Sequence, residues 1–148
     1  MLLMAAPIIV CGGRESIGRV VVENLKPEIE TIHFILTPEA GKVQIPTILR
    51  GDPDPSTLSS SDLGTKNYSR KPIAVIVGGA FDDADVAAIM DAARGIHPVP
   101  WLKADKSVPM PPVGSEYAVA TARRIKERLA GLERDGELKV EEDRIILF

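Results

Sequence analysis

Short apolar runs recur along the chain and are separated by polar and amphipathic stretches. Five of these runs predict β-strands, at about residues 8–11, 31–36, 73–77, 98–102 and 144–148. The third run, Ile-Ala-Val-Ile-Val, is apolar throughout. A strand that is buried on both faces of a parallel sheet has this composition. The pattern therefore favours a sheet that is covered on both sides.

Helical spacing of apolar side chains appears between the strands. It predicts one helix over about 16–25, a second capped by Asp82 or Asp83, and a third from about Ser115. Strands that alternate with helices predict a three-layer α/β fold with an open, mainly parallel five-stranded sheet, Rossmann-like or flavodoxin-like. We expect the strand order 2-1-3-4-5, with 3-2-1-4-5 as the alternative.

The connection over residues 38–72 departs from this alternation, because it is rich in proline, glycine and serine. We expect a single domain over 1–148 with an irregular insertion or arm at 38–72. Long connections of this kind are functional lids, interface arms or disordered segments. Without a crossover helix, apolar surface would stay open, and a homodimer would cover it.

Composition narrows the class of protein. The chain has 148 residues, of which 45% are apolar, and this is enough to form a core without disulfides or metal. Its net charge is −3. The basic residues are scattered along the chain and form no basic cluster of the kind that binds nucleic acid. One cysteine and two separated histidines form no metal-ligand cluster. No apolar run approaches the roughly 18 residues of a membrane span, and the first ten residues lack the basic start of a signal peptide. We expect a cytoplasmic protein.

The first strand ends in a glycine turn that leads directly into a helix. Gly12 and Gly13 let the backbone approach a ligand closely, and the first N–H groups of the helix point towards it. Arg14 follows at once, and its guanidinium can hold a phosphate or a carboxylate with two hydrogen bonds. This turn is the strongest indication of a site in the sequence.

The pattern Cys11-Gly12-x-x-x-Ser16-Ile17-Gly18 resembles the Thr-Gly-x-x-x-Gly-Ile-Gly turn of short-chain dehydrogenases. Ser16 replaces the middle glycine, where it could also cap the helix. This resemblance implies NAD(P) as a possible cofactor. The family's Tyr-x-x-x-Lys is absent, since Thr121 stands four residues after Tyr117, and no acidic residue closes the second strand. The whole chain also resembles small Rossmann-like proteins of filamentous fungi, which implies no catalytic residues.

A second glycine pair follows the third strand. In the order 2-1-3-4-5 the ends of strands one and three are neighbours at the point where strand order reverses, where ligands bind in open α/β sheets. The two turns together give seven candidate binding residues: Gly12, Gly13, Arg14, Ser16, Gly18, Gly78 and Gly79. The alternative is that the glycine pairs only make tight turns.

Three residues are candidate catalysts around this cleft. Asp82 would be a carboxylate base, with a helix cap as the alternative. Lys103, beside Trp101, could bind a planar acidic ligand, with a surface lysine as the alternative. Tyr117 could donate a proton to a carbonyl from the first turn of a helix, with simple packing as the alternative. The proline-rich segment 103–114 would form a wall over the cleft, with Tyr117 just inside it.

Three functions fit these features. The first is a small enzyme that acts on a carbonyl-bearing or phenolic metabolite by acid–base chemistry, as an isomerase, cyclase or lyase without a redox cofactor. The second is a degenerate NAD(P)-binding oxidoreductase or sensor. The third is a non-enzymatic interaction domain that pairs through residues 38–72. We favour the first, because charged and phenolic side chains surround a cleft whose dinucleotide motif is incomplete.

Overall fold

A five-stranded, all-parallel sheet lies between two layers of helices in the computed structural model, which describes residues 5–51 and 61–148. The strands are β1 (Ala6–Cys11), β2 (Ile29–Ile35), β3 (Ala74–Val77), β4 (Pro100–Lys103) and β5 (Arg144–Leu147). The helices are α1 (Glu15–Leu25), α2 (Pro38–Arg50), α3 (Asp83–Ala92) and α4 (Ser115–Arg134). The predicted three-layer α/β class is confirmed.

The strand order is β2-β1-β3-β4-β5, which confirms the expected order. Cys11 at the end of β1 is in register with Ile35 of β2 on one side and Val77 of β3 on the other. The glycine turns that follow β1 and β3 are therefore adjacent, at the reversal of strand order.

Two separate apolar cores pack on the two faces of the sheet, because successive side chains of a strand point to opposite faces. On one face, Val10 and Ile76 pack with buried residues of α1 and α4. On the other face, Val75 and Trp101 pack with buried residues of α2 and α3. Within the described ranges, no helix is both long and apolar enough to cross a membrane.

We expected residues 38–72 to lack a crossover helix. This expectation was wrong, since α2 occupies residues 38–50. Pro38 stands in the first turn, where a missing N–H costs nothing, and the Thr37 hydroxyl caps the helix by accepting a hydrogen bond from the Ala40 amide. Pro46 leaves the Lys42 carbonyl without its usual helical partner. A buried apolar face, with Ile45, Ile48 and Leu49 at its centre, offsets this loss.

The remainder of that connection, as far as it is described, runs along the outer edge of β2. The amides of Thr65 and Lys66 donate hydrogen bonds to the carbonyls of Thr31 and Ile32, each at 2.9 Å. These bonds satisfy backbone groups that an open sheet edge would expose. Residues 52–60 of the predicted arm lie outside the described residues. The reason given for a homodimer, an uncovered sheet, therefore no longer holds, and the oligomeric state stays a prediction.

Candidate functional site

A cavity of about 440 Å³ opens at the carboxyl ends of β1 and β3, on the face that α1 and α4 cover. Seven of the predicted binding and catalytic residues line it: Gly12, Gly13, Arg14, Gly18, Gly78, Gly79 and Tyr117. The structure thus brings the two glycine turns and the tyrosine together. It does not bring Ser16, Asp82 or Lys103 to the cavity wall.

The glycines of the first turn make room for an aromatic ring. A Cβ atom at Gly18 would lie 2.5 Å from Cε2 of Phe34, and one at Gly12 would lie 3.1 Å from Cζ of the same ring. Both positions therefore need glycine because Phe34, near the end of β2, packs between them. The last glycine of a dinucleotide turn has the same task of close packing between helix and sheet.

Arg14 is the N-cap residue of α1, and no side chain caps this helix. Ser16 is already within the first turn and exposed, so its predicted role as the cap is wrong. The Gly12 amide donates to the Ile35 carbonyl and the Gly78 amide to the Cys11 carbonyl, each at 2.9 Å. These two amides serve the sheet and not a ligand.

Tyr117 and Lys106 both lie close to Gly79. A Cβ atom at Gly79 would lie 3.8 Å from Oη of Tyr117 and 3.9 Å from Cε of Lys106. Tyr117 stands in the first turn of α4, half-buried, and Met110 and Val113 from the preceding proline-rich segment also line the cavity. The segment 103–114 therefore contributes the predicted wall, with the phenol inside it.

Asp82 acts as a helix cap, which was the alternative interpretation of this residue. Its carboxylate accepts a hydrogen bond from the Asp85 amide at 2.8 Å, and the Asp85 carboxylate accepts one from the Asp82 amide at 3.0 Å. This reciprocal pair is a capping box. Both oxygens belong to the start of α3, across the sheet from Tyr117, so the geometry gives Asp82 no contact with the cavity.

Lys103 points to the opposite face of the sheet from the cavity. Alternation along β4 places it on the side of Trp101, which is fully buried between the sheet and α3. The Lys103 ammonium pairs with the Asp83 carboxylate at 2.7 Å, and this contact is the main reason why the pKa of Asp83 lies below its usual value. Lys103 therefore does not place a cation at the cleft, and the predicted role in binding a planar acidic ligand there was wrong.

Arg124 closes the floor of the cavity together with Phe148. Its guanidinium donates hydrogen bonds to the backbone carbonyls of Phe148 and Asp105, and it lies 5.6 Å from the centre of the Phe148 ring. The Asp105 amide also donates to the Phe148 carbonyl at 2.8 Å. These contacts fix the start of the proline-rich wall against the end of the sheet.

Cys11 is buried at the end of β1, with its side chain in the core beneath α2 and α3. Burial raises the pKa of this thiol to about 12. A thiol that stays protonated at neutral pH is a poor nucleophile. Cys11 is thus a small core residue and not a reactive thiol.

His33 forms a buried polar cluster away from the cavity. Its Nδ1 lies 2.8 Å from the Tyr68 hydroxyl and its Nε2 lies 2.7 Å from Oε1 of Gln44. Because an amide oxygen only accepts, Nε2 carries the proton and Nδ1 accepts from Tyr68. Burial lowers the pKa of His33, which keeps the ring neutral. The cluster joins β2, α2 and the edge segment.

Some residues of the site were missed in the sequence. Lys106 is an ordinary polar residue in the chain, and only the fold brings it to the cavity wall near Tyr117. Thr121 could have been found, because it lies one helical turn after Tyr117 on α4 and donates a hydrogen bond to the Tyr117 carbonyl. Phe34 could have been found only after the strand order was known. It is a large residue of β2 that packs on two glycines, Gly12 and Gly18, of the turn after the neighbouring strand β1. Among the described residues, no three histidine, cysteine or acidic side chains cluster as metal ligands do.

The chain is similar to a fungal protein over nearly its full length. Over 140 residues it is 40% identical to Kojic acid related protein 6 of Aspergillus oryzae, a match that covers 92% of this chain and 83% of the relative. The chain belongs to that protein's family. The predicted resemblance to proteins of filamentous fungi agrees with this relative. No family model and no solved structure matches the chain.

Proposed function

We propose that this protein is a small enzyme that acts on a carbonyl-bearing or phenolic metabolite by acid–base chemistry. The reaction class is isomerisation, cyclisation or elimination, with no redox cofactor required. The observation that carries this proposal is the position of Tyr117, whose phenol oxygen lies over Gly79 at the wall of an apolar cavity.

Tyr117 is suited to donate a proton to the carbonyl oxygen of a bound metabolite. Lys106, over the same glycine, supplies a positive charge that stabilises the negative charge developing on that oxygen. Apolar walls such as Val10, Ile76 and Ile125 exclude water and strengthen the interaction. Lys106 therefore takes the place that the sequence gave to the Lys103 cation. Asp82 caps α3 and is not the base of this site.

The relative supports the substrate class at a coarse level. Its description relates that protein to kojic acid, a small hydroxylated carbonyl compound. A metabolite of this size fits a cavity of about 440 Å³. We extend to this chain only the class of compound, small and oxygenated, with a carbonyl or an acidic hydroxyl group.

The two other functions receive less support from the geometry. Ser16 brings a side chain to the position of the middle glycine, where a pyrophosphate would have to approach the backbone, and β2 ends without an acidic residue for a ribose. The segment expected to pair with a partner instead packs on its own sheet through α2 and through residues 65–66. Neither feature favours a dinucleotide or an interaction arm.

The test is turnover of a metabolite extract from Aspergillus oryzae cultures by the purified protein, followed by liquid chromatography and mass spectrometry. We expect one compound to be converted to a product of equal mass or of a mass lower by one small leaving molecule. Tyr117→Phe removes only the hydroxyl and should slow this conversion at least about tenfold.

Tyr68→Phe is the matched control, since Tyr68 is the other tyrosine of the chain and binds His33 away from the cavity. It should keep the wild-type rate. Conversion by Tyr117→Phe at the wild-type rate, or no conversion of any compound by the wild-type protein, would overturn the proposal.

A further inference from the structure

The described wall of the cavity carries cationic side chains and no acidic side chain. Three cationic residues line it, Arg14, Lys106 and Arg124, and no aspartate or glutamate does. Arg124 is already occupied by the Phe148 and Asp105 carbonyls and the Phe148 ring. Arg14 and Lys106 therefore remain as the cations available to a ligand.

Nearby carboxylates are engaged elsewhere. Glu15, beside Arg14 in the chain, lies 3.4 Å from Arg19, and Asp83 lies 2.7 Å from Lys103 on the far face of the sheet. Across residues 5–51 and 61–148, neither Arg14 nor Lys106 is within ion-pair distance of an acidic side chain. Asp83 acts on Lys106 only from a longer distance, since its ion pair is with Lys103. Two cations on the wall of an apolar space that no acidic side chain lines favour a ligand that brings its own negative charge.

The other residues of the cavity wall indicate that the uncharged part of the ligand is apolar. Most other side chains of the wall are aliphatic or aromatic: Val10, Ile17, Val21, Phe34, Ile76, Met110, Val113 and Ile125. Such a surface binds an apolar, flat ring better than a sugar or a free phosphate, whose hydroxyl groups would lose water without gaining partners.

We propose that the substrate of this site is a small aromatic or enolic acid that binds as its anion. Its negative group lies between Arg14 and Lys106, and its ring lies against the aliphatic wall below Tyr117. This inference rests on the proposed function and adds the charge of the substrate to it. It also assigns Arg14 and Lys106 to substrate binding.

The probes are benzoate, its uncharged analogue benzamide, and inorganic phosphate, each titrated into protein labelled with ¹⁵N-glycine. Five glycines line the cavity, whereas Gly95, Gly131 and Gly136 lie outside it and serve as internal controls. We expect benzoate to shift the amide signals of the cavity glycines and to bind at least about fivefold more tightly than benzamide, because charge-assisted hydrogen bonds are the stronger ones. Phosphate should shift them least.

Single substitutions test whether Arg14 and Lys106 bind the carboxylate of benzoate. Arg14→Gln and Lys106→Gln should each weaken benzoate binding about threefold to tenfold and leave benzamide binding unchanged. Arg19→Gln is the matched control on the same helix, since Arg19 pairs with Glu15 and does not line the cavity.

The outcomes separate this inference from the proposed function. Equal affinity for benzoate and benzamide at the cavity glycines overturns the anion inference and leaves the cavity as a binding site. Phosphate binding tighter than benzoate overturns it as well, in favour of a phosphorylated ligand. If no ring compound shifts the cavity glycines, the inference fails and the proposed site fails with it.

Discussion

The ring of Phe34 packs directly against the backbone of Gly18, so closely that a Cβ atom at position 18 would lie 2.5 Å from Cε2 of the ring. Both residues are buried, and Phe34 is 1% exposed. The contact joins the first turn of α1 to the end of β2 and fixes the floor of the cavity beside Gly12.

Gly18→Ala should therefore destabilise the protein, although alanine favours a helix. Forcing a methyl group into a filled core costs about 1–3 kcal/mol, which lowers the melting temperature by roughly 3–10 °C in a chain of this size. Thermal unfolding followed by circular dichroism measures this change. Gly131→Ala is the control, because its Cβ would lie 3.5 Å from its nearest neighbour, an ordinary contact.

Phe34→Leu in the Gly18→Ala background provides a second check. If the two residues occupy the same space, the smaller side chain should relieve part of the strain, and the double variant should lose less stability than the two single losses together. Strict additivity would show that the Phe34 ring does not determine the need for glycine at position 18.

The sequence predicted the fold well where apolar patterns were continuous. The run at 73–77 and the alternation of strands and helices were sufficient for the parallel sheet, and the observed strand order is the first of the two that the sequence left open. The prediction was wrong at α2, where Pro38, Gly41 and Pro46 suggested a broken segment. Pro38 is harmless at a helix start, and Gly41 allows close packing, since a Cβ there would lie 3.1 Å from Ile89. Only the tertiary structure supplies that reason.

The candidate site was predicted only in part, because the position of some of its residues also depends on the tertiary structure. The glycine turns and Tyr117 could be placed because chain order and strand ends locate them. The face of the sheet on which Lys103 lies depends on the register of β4, a four-residue strand that starts at Pro100. A shift of one residue moves a side chain to the other face, so the sequence could not distinguish Lys103 from Lys106.

Lys103→Met and Lys106→Met should accordingly differ in their effects on turnover. Lys103 lies across the sheet from the cavity, and its replacement should leave kcat for the metabolite consumed from the extract within about twofold of wild type. Lys106→Met should lower kcat at least about tenfold, as expected for the loss of a group that stabilises charge in the transition state. Equal losses in both variants would contradict the placement of the two lysines.

His33 should make the stability of the protein fall in mild acid. Burial lowers the pKa of His33 in the folded state, whereas an unfolded histidine has a pKa of about 6.5. As the pH falls below that value, the unfolded chain takes up a proton that folded His33 resists, so the free energy of unfolding decreases. Above it, the contribution of His33 is constant.

His33→Gln removes the titrating group, so the loss of stability between pH 7 and pH 5 should become smaller. Urea unfolding at a series of pH values measures it. His97→Gln is the comparison, because the pKa of half-buried His97 is also lowered but its ring is not enclosed as His33 is. An unchanged pH dependence in His33→Gln would show that the ring takes up a proton in the folded protein.

Gln44→Leu should destabilise the same cluster at neutral pH. It leaves the His33 Nε2–H group buried without its acceptor, which costs about 1–3 kcal/mol. Lys42→Leu, at an exposed position of the same helix, is the control and should change the free energy of unfolding by less than about 0.5 kcal/mol. Equal stability of the two variants in chemical denaturation would argue against the hydrogen bond.

The most direct test of the cavity as the functional site is turnover by Gly79→Val. Position 79 has room for a side chain, since the nearest atoms to a Cβ there are 3.8 and 3.9 Å away, and that side chain would fill the space between Tyr117 and Lys106. We predict a folded protein with a wild-type melting temperature and at least about a tenfold loss in the rate at which the extract metabolite is consumed. Wild-type turnover by folded Gly79→Val would contradict the account.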